Sequence, residues 1–313
     1  MPGPAEGGSV KVGLKEAFPL SRAFDPIDHL LALDPGARGI AGFFNPGGAR
    51  RAATSLARSR RVLLTTGFAF GPDLPETDGP PGTAVLGRAL RLLGKSVVYL
   101  GDQTALPVLE AALKALGEPI ESIAFPEGES PEAAARRILR EIAPTHLVAV
   151  ERPGRARDGG YWSARRESIA AWNRPVDSLF LFRPRGITTV GIGDGGNEVG
   201  MGNVRSRILR QGPLARRIAS VVRVDHLVVA GTSNWGAYGV TAHLALLTGR
   251  RLLHTPEEER RLVAACVEAG GVDGFTRRRE ATVDGLPVEA HAAFVELLQT
   301  VIQCARAGGG KQT

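Results

Sequence analysis

The 313-residue sequence is poor in cysteine, aromatic residues and long apolar runs, and each shortage removes a class of protein. Its two cysteines, Cys266 and Cys304, fall in separate helical segments without paired-ligand spacing. Both therefore read as buried free thiols with no functional part, not as a disulfide or metal site. No apolar stretch approaches the ~20 residues of a membrane helix. The longest, such as Leu227 to Ala230, suit buried strands. Aromatics make up 5% of the chain, and the net charge of +7 comes almost wholly from arginines scattered in pairs such as Arg50/Arg51, Arg136/Arg137 and Arg216/Arg217. A nucleic-acid protein concentrates such charge in a stripe with interleaved aromatics. Scattered arginines fit attraction of a small anionic substrate better. The first twenty residues carry Glu6 and Glu16, no arginine and no apolar core segment. Neither a secretory signal nor a mitochondrial presequence is visible there, so a cytoplasmic location is expected, with the mitochondrial matrix as the alternative.

What is present is an alternation. Hydrophobic residues form 43% of the chain and charged ones 23%, enough for a sizeable core. The runs 62–66, 96–100, 122–125, 146–150, 188–192 and 226–230 are nearly continuous apolar segments without polar alternation. That pattern predicts strands buried on both faces, hence an α/β fold with a mainly parallel, doubly wound sheet and flanking helices. Between them run helical stripes: Val85, Leu86, Ala89 and Leu90, then Leu106, Leu109 and Leu113. Ser130-Pro131 and the Thr255-Pro256-Glu258 capping box mark helix starts, and Phe294, Leu297, Leu298 and Val301 stripe the last helix. Residues 26–304 read as one domain. The Gly/Pro-rich segment 1–25 and the tail 305–313 are expected to be poorly ordered.

Ligands of an open parallel sheet sit beyond the carboxyl ends of its strands. Those positions here are Thr66, Gly67 and Phe68, then Asp102, then Glu151 and Arg152, then Asp194 to Glu198, then Thr232 to Trp235. Acids, amides and hydroxyls recur at them. The densest is GIGDGGNEVGMGN at 191–203, where glycines surround Asp194, Asn197 and Glu198; it reads as a strand ending in a turn that opens a helix. It satisfies G-x-G-x-x-G literally, but four strands precede it, Arg216 and Arg217 stand where an acid should follow, and Asp194 and Glu198 would repel a pyrophosphate. A divalent cation or an ammonium group suits these residues better. Upstream, Glu76 and Asp78 lie on a turn stiffened by Gly79, Pro80, Pro81 and Gly82. That turn is either a helix cap or a rigid mount for two carboxylates. His146, His226 and His243 lie in apolar elements and read as structural.

The stretches TTGF at 65–68, ETDGPPG at 76–82, ERPGRARDGGYWSARR at 151–166, TTVGIGDGGNEVGMGNV at 188–204, DHLVVAGTSNWGAYG at 225–239 and VDGLP at 283–287 together resemble the C-terminal catalytic domain of the D-glutamate cyclase family. The resemblance spans about residues 26–304. Mitochondrial members carry a further N-terminal domain, so this sequence is expected to correspond to the catalytic-type portion. The family implies a lyase that converts D-glutamate into 5-oxo-D-proline and water by forming a lactam. Such chemistry must deprotonate the α-ammonium, make the γ-carboxylate electrophilic and release an oxygen as water. Candidate acid–base residues are Asp194, Glu198, Glu151 and Asp78. Either Mg²⁺ or Mn²⁺ held by Asp194, Glu198 and Glu151, or a donor cluster of Asn197 with the Gly195 and Gly196 N–H groups, would polarise the γ-carboxylate. Arg152 and Arg165 are candidates for clamping a substrate carboxylate, and Thr66, Gly67, Glu76, Ser233 and Asn234 for lining its site. No organic cofactor is expected, and the partner is D-glutamate itself, with self-association of the chain left open. Two other classes stay in view: a metal-dependent hydrolase of phosphatase type, and an amino-acid-binding protein without catalysis.

Overall fold

Six parallel strands form one sheet in the order β3-β2-β1-β4-β5-β6 in the computed structural model, which describes residues 24–309. The chain runs α1 (Pro26–Leu31), α2 (Gly48–Leu56), β1 (Arg61–Thr66), α3 (Pro80–Leu92), β2 (Ser96–Gly101), α4 (Leu106–Ala115), β3 (Ser122–Ala124), α5 (Pro131–Ile142) and β4 (His146–Val150). It continues through α6 (Ser178–Leu181), β5 (Thr188–Gly193), α7 (Arg205–Ile208), α8 (Pro213–Ile218), β6 (His226–Val229), α9 (Ser233–Thr248) and α10 (Pro256–Glu268). A two-stranded antiparallel hairpin, β7 (Thr282–Val283) with β8 (Leu286–Pro287), then leads into α11 (Val288–Gly309). The remaining parts of the two ends expected to be poorly ordered, 1–23 and 310–313, lie outside the described residues.

Alternate strand residues feed opposite cores, which is why both faces had to be apolar. Val62, Leu64, Val148, Val150, Val190 and Ile192 pack with α1 to α4 and α9 to α11. Leu63, Leu147, Ala149, Leu227 and Val229 pack with α5 to α8. Local signals start the helices where expected. Ser130 accepts from Ala133 N–H ahead of Pro131, and Thr255 and Glu258 form a reciprocal capping box at α10. Two readings change. The turn after β5 does not open a helix directly: residues 194–200 are irregular, and a 3-10 turn at Met201–Asn203 and the short α7 follow. Cys266 is buried as expected, but Cys304 is exposed on the outer face of α11.

The strand order places a topological switch point between β1 and β4, because the chain builds outward from β1 to β3 and then returns to add β4, β5 and β6 on the other side. Crevices form where connections diverge to opposite faces. Gly67 and Glu151 follow the two strands bordering this one, and Asp194 follows β5 beside β4.

Candidate active site

A cavity of about 670 Å³ opens over the carboxyl ends of β1, β4 and β5, with Arg38, Glu76, Glu151, Glu198, Phe275 and Asp284 among its walls. The backbone itself marks the place. Six non-glycine residues have positive φ among the described residues, and four of them, Ala37, Glu151, Arg277 and Asp284, line this cavity. A fifth, Arg166, adjoins the lining residue Arg165, and only Ala143, the left-handed cap of α5, lies elsewhere. Such conformations cost of order 1–3 kcal/mol each and gather where a fold over-determines a side chain's direction.

Six carboxylates converge at the closed end, each at most 5% exposed: Glu76, Asp78, Glu151, Asp194, Glu198 and Asp284. Their oxygens form two overlapping triads, Glu151–Asp194–Glu198 and Asp78–Asp194–Asp284, each within 4.8 Å. Asp194 belongs to both. Arg38 is the counter-cation: one end of its guanidinium is paired with Asp194, and the other lies 2.5 Å from Asp284. Its loop is held by Asp34, whose carboxylate accepts the N–H groups of Arg38, Gly39 and Ile40 at 2.9, 2.7 and 3.2 Å.

Burial with so few counter-charges favours the protonated form of four of them, Glu76, Asp78, Glu151 and Asp194. Burial is the first cause throughout. It raises Glu76 well above the ordinary range, reinforced by the Glu151 charge, and raises Glu151 likewise, reinforced by Glu198. Asp194 is also raised well above its ordinary value, since the Arg38 guanidinium only partly offsets desolvation. Asp78 is pushed up to about 8 by burial and the Asp284 charge, against the N–H groups that it accepts from α9.

Each acid has its own mount. Ser233 Oγ donates to Glu151 at 2.5 Å. Asp78 accepts the N–H groups of Ser233 and Asn234, both at 2.8 Å, and so caps the first turn of α9 from another element. Glu198 turns back on its own loop and accepts from Gly195 and Gly196 N–H at 2.6 and 2.8 Å. Glycine is needed twice close by. At Gly79, with φ +101°, a Cβ would lie 2.8 Å from the Glu151 Cβ. At Gly274 a Cβ would collide with the Glu76 carboxylate.

The candidates read from sequence divide accordingly. Glu76, Glu151, Glu198, Gly195, Asn197 and Arg165 line the cavity, and Asp194 and Asp78 lie among the acids at its closed end. Ser233 reaches it through Glu151. Others form the support behind it. The Arg152 guanidinium is fully buried and donates to the carbonyls of Gly67 at 2.8 Å and Arg174 at 2.7 Å, with Asp102 at 2.7 Å. It ties strand ends together and is not among the residues that line this cavity. Asn234 accepts from Gly79 and Gly82 N–H, and Thr66 packs beneath Gly79. The expected donor cluster is also spoken for, since Gly195 and Gly196 donate to Glu198 and the Asn197 amide donates to the Trp162 carbonyl at 2.7 Å.

Arg38, Asp284 and the aromatic residues Phe70 and Phe275 were not anticipated. Asp284 lies in the VDGLP stretch, but its Asp-Gly pair reads as hairpin punctuation. Nothing in the segment around Arg38 distinguishes it from the other scattered arginines.

A cation fits this end of the cavity, because Asp194 is fully buried and its Oδ2 has no hydrogen-bond partner. The sequence of the whole domain now decides the family: the profile described as D-glutamate cyclase-like, C-terminal, matches residues 27–299. The chain belongs to that family. It is 38% identical over 243 residues, 72% of its length, to human mitochondrial D-glutamate cyclase, and spans 39% of that relative's length. Among solved structures, an exopolyphosphatase-related protein from Bacteroides fragilis is similar over 82% of this chain and 57% of its own, with 9% identity and a TM-score of 0.41. Membership of the D-glutamate cyclase-like family accounts for an acid-rich cavity suited to a small molecule. Among the described residues no helix is long and apolar enough to cross a membrane.

Proposed function

We propose that this chain cyclises D-glutamate to 5-oxo-D-proline and water. The observation that carries the reading is the buried acid cluster, in which carboxyl groups that keep their protons lie beside carboxylates able to accept, around one guanidinium. Lactam formation uses both kinds. The α-ammonium sheds two protons, its nitrogen bonds to the γ-carbon, and one γ-oxygen leaves with those protons as water. Glu198, fixed by the glycine turn, is the acceptor for the ammonium. Glu151, with its raised pKa, donates to the departing oxygen, and its Ser233 contact fixes its orientation. Arg38 meets the charge that develops on the remaining γ-oxygen. Asp78 holds a proton close to neutral pH and exchanges it with the cavity through Asp194 and Asp284.

Asp194 and Glu198, joined by Glu151 only when it has lost its proton, would hold Mg²⁺ or Mn²⁺, which supplies Lewis-acid polarisation of the γ-carboxylate when bound. Recognition of an α-carboxylate, an α-ammonium and a γ-carboxylate at three points leaves buried groups unpaired for the wrong hand, so the reaction is selective for the D-enantiomer. The test is incubation of the purified chain with D- or L-glutamate, with and without Mg²⁺ or Mn²⁺, and chromatography of the products. Formation of 5-oxo-D-proline from D-glutamate alone is expected. Equal turnover of both enantiomers, or saturable binding without product, would overturn the proposal.

A further inference from the structure

The cavity is too large and too apolar at its mouth for D-glutamate alone. Even at the ~30 Å³ that a water molecule occupies in the liquid, the ten non-hydrogen atoms of glutamate fill roughly 300 Å³, less than half of the 670 Å³ present. The two ends also differ in kind. The acids at the closed end are at most 5% exposed, whereas Phe275 and Leu214 at the mouth are 40% and 36% exposed. Phe70 continues this apolar wall, and the arginines Arg165 and Arg277 border it. Arg277 is already paired with Glu167 and lies over the Phe70 ring. Arg165 is exposed, with one nitrogen on the Phe275 carbonyl, and no carboxylate is paired with it among the described residues.

An apolar wall does nothing for a small amino acid with two carboxylates and an ammonium, and water leaving from the γ-carbon needs no such room. It suits a leaving group that is itself apolar and carries a carboxylate. We infer that the outer half of the cavity is a leaving-group subsite, and that the chain also cyclises γ-D-glutamyl amino acids with apolar side chains. This rests on the proposed lactam-forming reaction and extends it. The α-nitrogen bonds to the γ-carbonyl carbon and the γ-carbon–nitrogen bond to the second amino acid breaks. The two protons shed by the α-ammonium end on the departing nitrogen. The products are 5-oxo-D-proline and the free amino acid, with no water consumed and no redox partner. Phe70, Leu214 and Phe275 cover the apolar side chain, and Arg165 meets the departing amino acid's carboxylate. An amide also leaves a better electrophile at the γ-carbon than a free carboxylate, so the acid cluster has less to accomplish.

The experiment compares D-glutamate, γ-D-glutamyl-phenylalanine and γ-L-glutamyl-phenylalanine, following 5-oxoproline and free phenylalanine by chromatography. The γ-D-glutamyl compound should show kcat/KM at least about tenfold above that of D-glutamate, the scale that a filled apolar pocket contributes, and the γ-L compound should be inert. In Leu214→Ala and Arg165→Gln the ratio of the two kcat/KM values should fall about fivefold or more, a comparison within one protein that loss of folded material does not move. If D-glutamate is cyclised while γ-D-glutamyl-phenylalanine is neither cyclised nor competitive with it, this inference is overturned and the proposed reaction stands. If neither compound gives 5-oxoproline, both fall. Cyclisation of the dipeptide with an unchanged ratio in both variants would remove the leaving group from this half of the cavity.

Discussion

The contact between Arg38 and Asp194 is the one on which the closed end of the cavity turns, and its partners lie 156 residues apart in the chain. Asp194 lies between two triads of acids and keeps one oxygen free, so replacing it by asparagine preserves shape while removing the carboxyl group that both share. Asp194→Asn and Glu198→Gln should each lower turnover of D-glutamate at least roughly a hundredfold, the scale of lost acid–base or electrostatic catalysis, with unchanged circular dichroism. Wild-type rates in both would take the glycine turn out of the reaction. Arg38→Met should cost a similar factor, read as kcat/KM, because two carboxylates lose their counter-charge together. Asp194, Glu198 and Glu151 were legible in the sequence because each directly ends or follows a strand whose apolar run is unmistakable. Arg38 and Asp284 were not. They reach the site from a loop held by Asp34 and from a hairpin turn fixed by Asp273, which accepts the N–H groups of Phe275, Thr276 and Gly285. Neither distance in the chain nor residue type announces such a meeting.

At the scale of elements, strand positions were readable because burial on both faces leaves a continuous apolar run, and all six strands fall within a residue or two of where those runs lie. The turn after β5 misled for a definite reason. Its glycine N–H groups, which would open a helix, are captured instead by the Glu198 carboxylate, so the backbone stays irregular until a 3-10 turn at Met201–Asn203 ahead of α7. Arg152 misled in another way, since an arginine following a strand end looks like a substrate clamp whichever way it points. Its burial beneath the strand ends makes a different prediction. Arg152→Met leaves Asp102 buried without its partner and frees the carbonyls of Gly67 and Arg174, which should cost about 3–5 kcal/mol. Urea denaturation should show the midpoint falling at unchanged slope, while KM for D-glutamate in the folded protein stays near wild type. A large rise in KM without loss of stability would return Arg152 to the substrate.

For the molecule as a whole, the acid cluster couples folding to protons. A net charge of +7 lies on the chain, yet its cavity buries a cluster of acids, four of which favour protons that an unfolded chain would release. Glu76, Glu151 and Asp194 are held well above the ordinary carboxyl range by burial, and Asp78 is pushed up to about 8. An acid whose pKa is raised on folding binds protons more tightly in the native state, so stability falls as pH rises. The contribution is complete below the ordinary carboxyl value near 4, and for Asp78 it is lost as pH climbs through about 8. Cation-free protein should therefore melt at progressively lower temperature between about pH 5 and pH 8.5. Glu76→Gln removes one buried proton and should flatten that slope, raising Tm at alkaline pH by roughly 2–4 °C, the shift that about 1 kcal/mol gives a domain of this class. A divalent cation competes with the same protons, so Mg²⁺ or Mn²⁺ should raise Tm saturably, and more at about pH 8 than at about pH 5. A Tm independent of pH across this window would contradict the protonated cluster. A pH-dependent Tm that neither cation shifts would leave the cluster protonated but metal-free, and polarisation of the γ-carboxylate would then fall to Arg38 and the neutral carboxyl of Glu151.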